Sequence, residues 1–219
     1  SLKPATHYVQ GTHGTITTES GLVTVSDPST VTAATGGYTG TYKAAANAGT
    51  DLYYVDYTVY LAASGTEAMT GKDVTATISI TNDLVYLLHN AVSIDFLVND
   101  VFDETVNLKT VDASTNPQAN NLKITLLSNT TINPALGTDD QGQPTFTDTN
   151  TIKITMRVYF DGALEQTAAV EADPDADPAV EAQPATYYVR NALAVTNAIG
   201  FAVQFDVVNY VAPQQPENP

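Results

Sequence analysis

Short runs of alternating apolar and polar residues, broken by turn residues, restrict what this chain can fold into more than any other feature. In Leu52–Ala62 (LYYVDYTVYLA), residues Tyr53, Val55, Tyr57, Val59 and Leu61 share one face, because successive strand side chains point to opposite sides. Asp73–Thr81 carries Val74, Ala76, Ile78 and Ile80 in the same way, and Thr151–Tyr159 carries Ile152, Ile154, Met156 and Val158. Gly200–Val208 places Phe201, Val203, Phe205 and Val207 together. Thr15–Val25 around Ser20-Gly21, Val92–Val98, Thr105–Val111, Leu122–Leu127 and Thr186–Arg190 continue the pattern. No long segment has the helical period; Leu84–Val92 and Ala192–Ile199 are read as short helical turns. Strands at this spacing predict an all-β fold, a jelly-roll-like antiparallel β-sandwich in a single domain, and 219 residues suit it.

Composition agrees and narrows the function. There are 33 Thr and 12 Tyr, residues that fit a pleated, half-buried surface. There is no Cys, which removes disulfides, thiolate chemistry and Cys-bound zinc together. Eight Lys and Arg stand against 24 Asp and Glu, a net charge of −16. Nucleic acids and anionic membranes select basic patches, so neither is an expected partner. No stretch approaches the roughly 18 apolar residues of a membrane helix, so no membrane insertion is expected. The start at Ser1 reads as removal of a secretion signal, which makes the expected location secreted, extracellular or on the cell surface.

Residues 1–25 read as an extended N-terminal segment, 26–211 as the sandwich core and 212–219 as a Pro-rich tail. Gly36–Gly49, Ala63–Lys72 and Ala113–Asn121 read as loops. Ala168–Ala185 (AAVEADPDADPAVEAQPA) is an acidic insert whose three prolines keep it out of helix and central strand.

Three carboxylate groups are candidate sites for a hard cation, with Ca²⁺ the cofactor they admit. Asp173, Asp175 and Asp177 have the spacing that opens an EF-hand loop, but Pro178 and Pro184 replace its Gly and its bidentate Glu, so an EF-hand is rejected. Asp95, Asp100 and Asp103 with Glu104 form a second group, and Asp139, Asp140 and Asp148 a third. The alternative for each is a solvated acidic surface. Asn129-Thr130-Thr131 is an acceptor triplet for N-glycosylation, expected on a surface loop. His7, His13 and His89 make no His-Glu-x-x-His run, and there is no Gly-x-Ser-x-Gly elbow. The pairing of Asp95 with Asp103 for hydrolysis has no supporting spacing, so no enzyme is expected.

Asn47–Ala62 (NAGTDLYYVDYTVYLA), Met156–Gly162 (MRVYFDG), Tyr188–Ala192 (YVRNA) and Ala202–Val207 (AVQFDV) together resemble TasA/camelysin-like secreted proteins. The resemblance implies a jelly-roll subunit exported through a signal peptide and assembled into extracellular fibres or pili. It also implies donor-strand complementation, in which one subunit lends its N-terminal segment to the open sheet of the next. The metallopeptidase label of some relatives finds no residues here to carry it. Val9, Thr15, Thr17, Leu22, Val23 and Val25 are the candidate donor-strand residues, in a segment with no strong core commitment before Leu22. The expected partner is therefore a second copy of the chain. The alternative is a monomeric extracellular adhesin or carbohydrate-binding module, with Tyr38, Tyr42, Tyr53 or Tyr60 stacking on sugar rings. A virion or tail structural protein is a further reading that composition leaves open.

Overall fold

The computed structural model describes residues 2–3, 5–7, 21–25, 32–34, 37–39, 42–82, 91–111, 121–135, 137–141, 145, 151–161, 165–167, 186–187 and 200–211. In chain order its strands are β1 (Thr6–His7), β2 (Leu22–Val25), β3 (Thr32–Ala34), β4 (Gly37–Thr39), β5 (Tyr42–Ala44), β6 (Val55–Leu61) and β7 (Met69–Asn82). They continue with β8 (Val92–Val98), β9 (Val101–Asn107), β10 (Leu122–Ile132), β11 (Ile152–Phe160), β12 (Glu165–Thr167), β13 (Thr186–Tyr187) and β14 (Gly200–Asn209).

A four-stranded sheet, ordered β6-β11-β8-β9, faces a three-stranded sheet, ordered β10-β7-β14. Every strand pair in them is antiparallel. Val74, Ala76 and Ile78 of β7 pack against Ile94 and Phe96 of β8 and Ile154 of β11, all fully buried. These are the inward residues that the alternation marks, so the chain is an all-β sandwich. Full burial of each of the larger of these side chains contributes about 1.5–3 kcal/mol.

A third sheet, β1-β2-β5, lies on the other face of the four-stranded sheet. There Ala5, Leu22 and Ala45 close over Tyr159, with Tyr53 and Tyr54 packed beside them. Tyr159 leaves β11 on the side opposite Ile154 and Val158, as period-two geometry requires. Two small pairs, β3-β4 and β12-β13, complete the described strands. The second pair brackets the acidic insert 168–185, which, like the tail 212–219, lies outside the described residues.

The structure corrects several sequence boundaries. Gly36–Gly49 is not all loop, since it holds β4 and β5. The turn read at Ala63–Lys72 ends early because β7 begins at Met69 and passes through Gly71 at φ +64°. β9 begins at Val101 rather than Thr105. The β8–β9 turn is made by Asn99 and Asp100 at φ 51° and 65°, the positive pair that a tight type I′ hairpin needs. After Asn107 the chain turns through Leu108–Thr110 as a 3₁₀ turn, and the Asn107 side chain accepts the Lys109 N–H at 2.9 Å. The helical turn read at Ala192–Ile199 lies outside the described residues, as does 84–90 of the other.

Candidate assembly site

The two sides of the sandwich are finished differently. Along β9 and β10, the inward residues Val106, Leu108, Val111, Ile124, Leu126 and Ile132 are all buried. Along β6 and β14 the core is left half wet. Val55, Val59, Phe201, Val203 and Phe205 are only partly buried, and Tyr57 is 55% exposed. Among the described residues β6 pairs only with β11, and β14 only with β7. Between them runs an open groove of about 440 Å³, lined by Val55, Tyr57, Met156, Val158, Gly200, Phe201 and Val203. Leu2, from the start of the chain, completes the lining. The groove is apolar because it is continuous with the core, and its rims are two strands that each pair with one other strand among the described residues.

The outward face of the four-stranded sheet is polar and ordered. One register row crosses all four strands, with Asp56 opposite Arg157, Arg157 opposite Asp95, and Asp95 opposite Thr105. Arg157 donates from Nε to Asp56 Oδ1 at 2.9 Å and from Nη2 to Oδ2 at 2.7 Å. Its guanidinium lies 4.3 Å from the Tyr54 ring centroid, so the bidentate pair is reinforced by the ring face. The Asp56 hydrogen bond, ahead of any other cause, raises the Arg157 pKa above its ordinary value.

Asp95 is 2% exposed and is satisfied by three side chains. Thr105 Oγ1 donates to Oδ1 at 2.6 Å and Tyr159 OH to the same oxygen at 3.0 Å, while His7 Nδ1 lies 3.1 Å from Oδ2. The His7 ring also packs on Phe102 at 4.4 Å between centroids. Burial first, then the charges of Asp95 and Asp161, pushes the Tyr159 hydroxyl far above its ordinary pKa, so it stays a donor. Nearby, Ser93 Oγ donates to Asp161 Oδ2 at 3.3 Å and accepts from Asn107 Nδ2 at 3.1 Å. This network clasps the N-terminal strand to the sheet through His7.

The sequence-predicted residues are scattered by the fold. Val9, Thr15 and Thr17 lie outside the described residues. Leu22 and Val23 are fully buried, and the strand they share with Val25 is the middle one of its sheet. Val23 stands opposite Thr6 on one side and Ala44 on the other, and Val25 stands opposite Tyr42. The stretch 22–25 is thus seated within its own molecule. Core commitment also begins earlier than Leu22, because Ala5 is buried and Leu2 lines the groove.

Among the acidic candidates, Asp95 is buried on the outward face beneath His7 and beside Tyr159, and Asp100 is ion-paired with Lys153 at 2.8 Å. Asp103 stands exposed on β9. Asp139 Oδ1 accepts the Gln141 N–H at 2.9 Å, with Asp140 exposed beside it. Asp148, Asp173, Asp175 and Asp177 lie outside the described residues. Among the described residues no three Asp, Glu or His side chains gather in a metal-holding arrangement.

Asn129 sits inside β10 rather than on a loop, which corrects the sequence expectation. The register slips between Leu127 and Thr130, and Asn129 takes φ 50° there, a left-handed conformation that Asn tolerates. Its N–H and the Ser128 hydroxyl both donate to Asp73 Oδ1 at 2.9 Å, and its side chain is exposed.

Comparison of the chain with family models, with curated proteins and with solved structures found no match.

Proposed function

We propose that this chain is a structural subunit of an exported, extracellular filament, and that it polymerises by receiving a strand from a second copy in the β6/β14 groove. The observation that carries the reading is the difference between the sealed and the open side of the sandwich. Phe201, Val203 and Phe205 face inward and stay half exposed along a strand edge with no second partner among the described residues. An added strand would supply main-chain hydrogen bonds to that edge and insert alternate side chains over those residues. A contact of this head-to-tail kind does not close on itself, so it builds filaments.

The strand order supports a jelly roll that, among the described residues, is one strand short. Take β6, β7, β8, β9, β10, β11 and β14 as the second to eighth strands of that eight-stranded fold. The sheet orders then read second-seventh-fourth-fifth and sixth-third-eighth. The first strand, the neighbour of the eighth, is the one without a counterpart among the described residues, and its place is the outer edge of β14. Because β2 is held on both sides, the lent segment in this reading precedes Gly21. Each copy carries a charge of −16, so the contact between copies is apolar and main-chain in character, and salt favours it.

A second reading, the monomeric adhesin or carbohydrate-binding module, rests on Tyr57 and Tyr60, both exposed on β6. Three positions apart on a strand, they point to opposite faces and form no single stacking platform.

Negative-stain microscopy of the purified chain tests the proposal. Ordered fibres from the intact chain, and none from a folded variant lacking residues 1–20, are expected. Monodisperse particles from the intact chain, with and without Ca²⁺ and at raised salt, reject it and leave the binding-module reading.

A further inference from the structure

The groove is not empty along its whole length, because one residue of the same chain stands in it. Leu2 lines the groove beside Val55, Gly200 and Phe201. It is placed there by a parallel bridge to Leu52, with the Lys3 N–H donating to the Leu52 carbonyl at 2.6 Å. The Lys3 ammonium pairs with Asp51. Two residues on, the Ala5 N–H donates to the Phe160 carbonyl at 3.0 Å, and His7 reaches Asp95.

We infer that Leu2 and Lys3, anchored through Ala5–His7, act as an autoinhibitory strap, with the Leu2 side chain as a plug that keeps a second copy of this chain out of the β6/β14 groove. The inference rests on the filament reading above and adds a control to it.

The strap is held unevenly, and the unevenness sets the order of its release. Its inner end is buried. Ala5 packs under Leu22 and Tyr159, Thr6 and His7 pair with β2, and Asp95 is almost fully enclosed. Its outer end is wet. Lys3 and Asp51 are each about half exposed, at 48% and 47%, so solvent screens their attraction. Leu2 is itself only half buried. Leu2 therefore leaves the groove before His7 leaves Asp95. The vacated site is apolar, bordered by an edge of β14 that has no second strand among the described residues, and matches an incoming strand better than it matches a single leucine. Release from the molecule's own groove and admission of the next copy are then one exchange.

The test compares the intact chain with Leu2→Ala and with Leu2→Met, which keeps an apolar plug. Two quantities are measured: the affinity of each for the apolar dye anilinonaphthalene sulfonate at low salt and low protein concentration, and the lag before filaments form at raised salt. Leu2→Ala is expected to bind the dye about five- to tenfold more tightly and to shorten the lag by a similar factor, the weight of half a leucine's burial. Leu2→Met is expected to match the parent in both and in melting temperature, while Leu2→Ala is expected to melt only about 2–4 °C lower, as befits the loss of one half-buried contact. Filaments with unchanged lag and unchanged dye affinity in Leu2→Ala overturn the strap and leave the filament reading standing. Tighter dye binding with an unchanged lag also overturns it, since Leu2 then fills the groove without guarding it. Filaments from none of the three remove the filament reading and the guarding role with it, and the dye alone then reports whether Leu2 fills the site.

Discussion

The β9/β10 side of the sandwich and the β6/β14 side are built from the same kind of residue and finish in opposite states. On the first, aliphatic side chains from two strands and a 3₁₀ turn meet and exclude water. On the second, larger side chains, two phenylalanines and a tyrosine among them, point inward and stay half solvated. β6, β9, β10 and β14 each pair with one strand among the described residues, and what sets the first side apart is the 3₁₀ turn after β9, which adds Leu108 and Val111 to the buried core. The first side stabilises the molecule, and under the proposed function the second is the one available to stabilise an assembly.

Substitutions that compare the two sides test this division. Ile132→Ala on the sealed side is expected to cost about 2–5 kcal/mol, since it leaves a cavity in closed packing. Urea denaturation measures it, and a cost under about 1 kcal/mol would erase the contrast. Beneath the N-terminal layer, Asp95→Ala leaves Thr105 and Tyr159 without their acceptor and is expected to cost about 1–3 kcal/mol. The same denaturation series checks it, together with faster proteolysis of the loosened N-terminal strand. Val203→Ala on the open side is expected to cost only about 1 kcal/mol or less, because its half-exposed side chain has less burial to lose. The same change is expected to reduce filament yield severely, and equal effects on stability and assembly would contradict the division.

A smaller effect is expected with pH. The Tyr159 hydroxyl is raised by burial above the ordinary tyrosine value, which is about 10. The folded state therefore holds a proton that the unfolded state gives up above that pH. This contribution is fully present below about pH 10 and is lost as pH climbs beyond it. Tyr159→Phe is expected to flatten the alkaline fall in melting temperature, and an unchanged slope would show that Tyr159 does not set it.

Legibility in the sequence follows the same contrast. Strands buried on at least one face announced themselves. Val92–Val98 is β8 residue for residue, Thr151–Tyr159 is offset from β11 by one residue at each end, and Gly200–Val208 falls one residue short of β14. Where a strand is exposed or bulged the signal fails. The first half of β9 carries no buried face, so Val101–Glu104 did not read as strand. β10 seemed to stop at Leu127 because the bulge at Ser128-Asn129 breaks the alternation. β4 and β5 were hidden in a Gly- and Ala-rich stretch whose small residues give no periodic contrast. The candidate site was legible only in part. Tyr57, Phe201 and Val203 were visible as inward residues, but a period of two says nothing about which strand lies next to which. Leu2 belongs to no periodic run, so its place in the groove came only from the fold.

Backbone hydrogen exchange, compared between monomer and assembled filament, tests the central claim most directly. The account predicts that amides of Gly200–Asn209, and with them Val55–Leu61, slow by an order of magnitude or more on assembly, while those of Val101–Asn107 on the sealed side stay as they were. Protection gained along Val101–Asn107 instead, or at neither edge of an otherwise ordered filament, would contradict it.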